Sequence, residues 1–115
     1  MLKSVILSIM ITLFATSALA ATTCHSRGKG TVWLGDGRLQ YRCTYHNNGQ
    51  LSTETPYVDK IKHGTRWTFS REGNVESKID YWNGHLRKER WYTKSGKMRV
   101  CKKYDENFRY LGSCM

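Results

Sequence analysis

Gly73-Asn74-Val75-Glu76-Ser77-Lys78-Ile79-Asp80-Tyr81 is the stretch that decides how this chain folds. Val75, Ser77, Ile79 and Tyr81 share one parity, and Asn74, Glu76, Lys78 and Asp80 share the other. Successive side chains of extended backbone point to opposite faces, so the pattern predicts a half-buried antiparallel strand and fits helical spacing poorly. The stretch opens on a glycine, with a large apolar residue two positions later and a tyrosine eight positions later. Gly37, Leu39 and Tyr45 repeat that spacing, as do Gly49, Leu51 and Tyr57, and Gly96, Met98 and Tyr104. Both offsets are even, which predicts that the apolar residue and the tyrosine of each copy share a face and pack there. An aromatic also stands four residues ahead of the last three glycines, at Tyr45, Phe69 and Tyr92. Those glycines are 24 and 23 residues apart, the period of a repeat architecture.

Working outward, each repeated glycine sits in a turn: Gly35-Asp36-Gly37, Asn47-Asn48-Gly49, Arg71-Glu72-Gly73 and Lys94-Ser95-Gly96, with Asn83-Gly84 as a further one. Glycine tolerates the positive φ of short hairpin turns, and Asn-Gly is the strongest such signal. The expected fold is all-β, an antiparallel meander of hairpins in a single curved sheet. Ser26 to Gly30 reads as a flexible entry and Thr31 to Leu34 as the first strand. Pro56, the only proline, falls on the polar parity of its strand and suits an edge or strand end. Asp59 to His63 reads as a longer loop. Asp105-Glu106-Asn107 reads as a turn, with Phe108 to Leu111 returning as the last strand.

The runs Tyr45-His46-Asn47-Asn48-Gly49-Gln50-Leu51, His63-Gly64-Thr65-Arg66-Trp67 and Tyr81-Trp82-Asn83-Gly84-His85-Leu86 resemble variant MORN repeats. The resemblance covers roughly residues 33 to 104. It implies a β-hairpin repeat sheet and a tendency to bind partners, since small bacterial members include antitoxin-like proteins. One departure stands out: the His-Gly of the second copy becomes Arg87-Lys88 in the third.

Met1 to Ala20 has the layout of a secretory signal peptide. Lys3 supplies the charged start, Val5 to Phe14 the apolar run, and Ala18-Leu19-Ala20 the small-residue cleavage site. The apolar run is too short to span a bilayer comfortably, and Thr22-Thr23 ahead of Cys24 disfavours a lipid anchor. The expected mature chain is one domain, residues 21–115, with no transmembrane segment after cleavage and a secreted or periplasmic address. A one-sided sheet of that size buries little core. Cys24, Cys43, Cys101 and Cys114 answer this as two disulfides. Four cysteines allow three pairings. Cys24–Cys43 with Cys101–Cys114 is preferred, because it staples each end of the meander. No pair has the close spacing of a zinc site, and no metal or cofactor is expected.

The net charge is +10. Arg87, Lys88, Arg90, Lys94, Lys97, Arg99, Lys102 and Lys103 face a single acid, Glu89, in that span. Such a field attracts polyanions or an acidic protein. Trp82 and Trp91 fall on polar parities beside these cations, where exposed tryptophans suit binding hot spots. The competing reading is a solvated face that protects sheet edges. His25, His46, His63 and His85 sit in or beside turns. A general acid–base pair from His63 and His85 would make the chain a small exported toxin or hydrolase. No nucleophile elbow, phosphate loop or paired carboxylate accompanies them.

The expectation is therefore a non-enzymatic exported binding module. Its contact residues would be Trp82, Arg87, Lys88, Arg90, Trp91, Lys97, Arg99 and Lys103, and its partner a protein with an acidic surface. An immunity or antitoxin-like role is what the resemblance implies. Anionic envelope lipids or glycans are the alternative ligands. Nucleic acid is disfavoured by the expected export.

Overall fold

The computed structural model describes residues 23–115; the leader-peptide reading lies outside them. The described chain forms nine strands and no helix: β1 (Thr31–Asp36), β2 (Leu39–Tyr45), β3 (Leu51–Val58), β4 (Ile61–Lys62), β5 (Gly64–Phe69), β6 (Val75–Trp82), β7 (His85–Tyr92), β8 (Met98–Tyr104) and β9 (Tyr110–Ser113). They make one open antiparallel sheet in the order β1-β2-β3-β5-β6-β7-β8-β9, with β4 paired to β3 ahead of β5. The two disulfides are Cys24–Cys43 and Cys101–Cys114.

Two kinds of turn alternate in the middle of the meander. In the longer kind, Gly49, Gly73 and Gly96 stand at φ near +90°. Each donates its amide to the carbonyl three residues back, in His46, Ser70 and Thr93. The shorter kind has two residues, Asn83-Gly84 between Trp82 and His85 and Asp59-Lys60 between Val58 and Ile61. All four residues have positive φ, the type I′ geometry whose twist matches the strands. The longer loop expected over Asp59 to His63 is thus a tight turn followed by β4. Neither Asp59 nor Lys60 is a glycine, so the composition conceals it.

Every hairpin from β2–β3 onward, apart from the interrupted β3–β4–β5 passage, carries one extra residue on its second strand. These are Ser52, Glu76, Arg87, Arg99 and Leu111, each three residues after the turn glycine or its substitute. Such a bulge reverses the parity of everything after it. Leu51, Val75 and Met98 therefore lie opposite in face to Tyr57, Tyr81 and Tyr104, contrary to the shared face that even offsets predict. The first hairpin has no bulge, and there Leu39 and Tyr45 do share a face. The same geometry reveals a fifth copy in Gly84, Leu86 and Tyr92, and a last one in which Phe108 takes the glycine's place. The final strand consequently starts at Tyr110 rather than Phe108, and β1 runs on to Asp36.

Cross-strand partners share a face, so the register sorts the sheet into two surfaces. One, here called the front, carries Tyr41, Cys43, Tyr45, Leu51 and Phe69. The 23–30 segment folds over it: Cys24 bonds to Cys43, Gly28 donates to the Gly49 carbonyl and Leu51 to that of Ser26. This entry is pinned rather than flexible, and the buried cluster of Cys24, Cys43 and Leu51 lies beneath it. Burying Leu51 alone contributes roughly 2 kcal/mol. Pro56 also points to the front, because the Ser52 bulge reverses its parity. It occupies an interior strand, where the neighbour breaks at His63 and Gly64, at φ +115°, keeps the room its ring needs. On the back, Ser77 and Ile79 are buried beside Trp91 and Thr68. The covered side thus passes from the front at β2–β3 to the back at β6, leaving the front of β5–β8 open apart from Cys101, which is buried at its disulfide to Cys114.

Candidate binding face

The open front of β5–β8 carries Trp67, Lys78, Asp80, Trp82, Lys88, Arg90, Tyr92 and Lys103. Its centre is Lys78, whose ammonium lies 4.4 Å from the Trp67 ring centroid and 5.6 Å from that of Tyr92. Rings at that distance attract a cation and hold it in place. Next to it, the Arg90 guanidinium donates to Asp80 at 2.6 Å, and Asp80 also accepts from the Thr65 hydroxyl at 2.8 Å. One row further along, Asp80 stands opposite Lys88, and Lys88 stands opposite Lys103. Like charges directly opposite each other destabilise a sheet. Asp80 already serves Arg90 and Thr65, so the Lys88–Lys103 pair is the uncompensated charge on this face.

The residues expected at the site from sequence divide by position. Trp82, Lys88, Arg90 and Lys103 share the front face. Trp82 stands at its turn end, 57% exposed. Trp91 is on the back, where its indole donates to Glu89 at 3.3 Å, and Glu89 accepts from the Tyr104 hydroxyl at 2.6 Å. That carboxylate raises the Tyr104 hydroxyl above its ordinary pKa by holding the proton in the hydrogen bond. Arg87 and Arg99 occupy bulges, and Lys97 follows the Gly96 turn at the far end of β7 from Trp82. Arg87 reaches the Tyr104 carbonyl at 3.4 Å. A single surface bearing both tryptophans is therefore corrected to a front patch of four of the eight, because the two indoles point to opposite sides. Lys78, Trp67 and Tyr92 complete that patch. Sequence parity placed Lys78 beside Trp82 already, but the flanking rings come from neighbouring strands.

His63 and His85 flank Trp82 at the same end of the sheet. The His63 ring is 4.4 Å from that of Trp82, and its Nδ1 accepts the Asn83 amide at 3.1 Å. His85 packs on Phe108 at 4.8 Å. The first imidazole is engaged in holding the Asn83-Gly84 turn. Among the described residues no cluster of three His, Cys, Asp or Glu side chains could hold a metal ion. No helix there is long and apolar enough to cross a membrane. Two disulfides in a small β domain are compatible with an extracellular location.

No protein-family model matches the chain, and neither curated proteins nor solved structures provide a match.

Proposed function

We propose that this is an exported, non-enzymatic binding module that engages an acidic protein surface through the open front of β5–β8. The observation that carries the reading is the Lys88–Lys103 pair beside the ring-flanked Lys78. Cations held in place by rings and register, with too few local acids, favour a partner that supplies carboxylates. Trp82 provides an exposed aromatic anchor at the end of the patch. Export agrees with the leader layout of residues 1–20 and with the disulfides. The MORN-like spacing adds an immunity or antitoxin-like neutraliser as the kind of module this would be.

The test is a pull-down with the oxidised protein from its own envelope extract, washed stepwise from low to high salt, with the bound material identified by mass spectrometry. One acidic protein should stay bound in near-stoichiometric amount at high salt and be lost by the double variant Lys88→Glu, Lys103→Glu. His63→Ala with His85→Ala should leave binding intact. Release of everything at moderate salt would leave only a general anion-binding surface and end the neutraliser reading.

A further inference from the structure

The two ends of the sheet are built differently. β9 is four residues long and is closed by Cys101–Cys114, whose second cysteine donates its amide back to the Cys101 carbonyl. Short, tied-off edges of this kind resist pairing with another chain. β1 has none of those protections. Its run Thr31-Val32-Trp33-Leu34-Gly35 contains no charge and no proline, and Val32 and Trp33 are 39% and 51% exposed.

The direction of the backbone groups follows from the ladder. The Tyr45 amide points toward the β1 side, where it donates to Gly30. Alternation along β2 turns Cys43 and Tyr41 the same way, and their partners are Val32 and Leu34. Thr31 and Trp33 are left with amides and carbonyls directed away from the sheet.

We propose that β1 is a dimerisation edge, pairing antiparallel with β1 of a second copy about a two-fold axis through Trp33. Such an axis pairs residues whose numbers have a constant sum, and cross-strand partners must share a face, so the sum is even. Centring on Trp33 keeps the whole uncharged run inside the pairing: Trp33 meets Trp33, Val32 meets Leu34 and Thr31 meets Gly35. Shifting the centre toward either end brings Lys29 or Arg38 into the pairing, or leaves an outward amide unmatched. On the back, the two indoles close over each other beside Tyr57, which already packs 5.2 Å from Trp33. On the front, Val32 and Leu34 extend the Cys43–Leu51 core across the axis. A second copy suits this edge better than an acidic partner because the paired run Thr31–Gly35 carries no cation and the one charge of β1 is the acid Asp36 at its end, while the cations of β6–β8 move to the two outer ends.

Edges of this length bury less than the roughly 1,200 Å² that marks the lower bound of stable interfaces. Association is therefore weak and is read at high protein concentration. Sedimentation of the oxidised protein over a concentration series should approach twice the monomer mass. The Trp33 amide should exchange with solvent more slowly as concentration rises. Trp33→Lys buries two ammonium groups on the axis, and Thr31→Pro removes an outward amide without touching the β2 ladder. Each should weaken the dimer at least tenfold with unchanged circular dichroism, while Trp82→Lys on the interior strand β6 leaves it unaltered. If Thr31→Pro perturbs the fold, Trp33→Lys decides alone. Monomer mass throughout the series, or a dimer indifferent to both edge variants, overturns the proposal.

Discussion

At the scale of single residues, two positions carry measurable consequences. Phe108 stands at φ +65° where the equivalent turns use glycine. A bulky side chain in left-handed backbone is strained. Replacing it with glycine should raise stability by roughly 0.5–1 kcal/mol, read as a higher urea midpoint at unchanged slope. A lower midpoint would mean that its packing on His85 outweighs the strain. Glu54 is 4% exposed on the front of β3. Burial pushes its carboxyl above the ordinary value of 4.5, against the amides of Cys24 and Thr23, which hydrogen-bond it and pull the other way. The folded chain then holds this proton more tightly than the unfolded chain. That stability is fully present below 4.5 and is lost as pH rises through the raised folded pKa. The melting temperature should fall over that interval, and Glu54→Gln should flatten the fall.

At the scale of elements, the disulfides do unequal work. Chain-entropy arguments assign about 3 kcal/mol to each closure, since their separations of 19 and 13 residues are similar. Cys24–Cys43, however, also presses the 23–30 segment onto the buried cluster, whereas Cys101–Cys114 closes a half-exposed edge. Replacing the first pair by alanine should therefore lower the melting temperature more than replacing the second, with β-rich circular dichroism retained at room temperature in both. Equal shifts would show that the entry segment adds nothing beyond loop closure. Leu51→Ala, at 2% exposure, should cost roughly 3 kcal/mol through the cavity it opens.

At the scale of the whole molecule, charge and fold pull against each other. Of the net charge of +10, all but that of Lys3 is carried on a single-layer sheet with little interior to offset repulsion. Exposed charges are screened beyond about 8 Å at physiological ionic strength, so adding salt from low ionic strength should raise the melting temperature. Lys103→Glu would place an acid opposite Lys88 and should stabilise the fold by roughly 0.5 kcal/mol while weakening partner capture. A gain in stability without loss of binding would show that the pair is not part of the contact.

By itself the sequence determined the strand class, the glycine turns and the meander; it left three cysteine pairings open, of which the preferred one is observed, and it hid the Asp59-Lys60 turn. Glycine at positive φ, period-two alternation and cysteines flanking the repeats are local signals, and each is legible one residue at a time. The faces were decided only in the tertiary structure. An extra residue at Ser52, Glu76 or Arg99 looks like any other polar strand residue, yet its bulge reverses the parity of all that follows. Trp82 and Trp91 share a polar reading along the chain and separate to opposite sides, while Lys78 finds Trp67 and Tyr92 only across strands. Register is a property of paired strands, and a single strand cannot declare it.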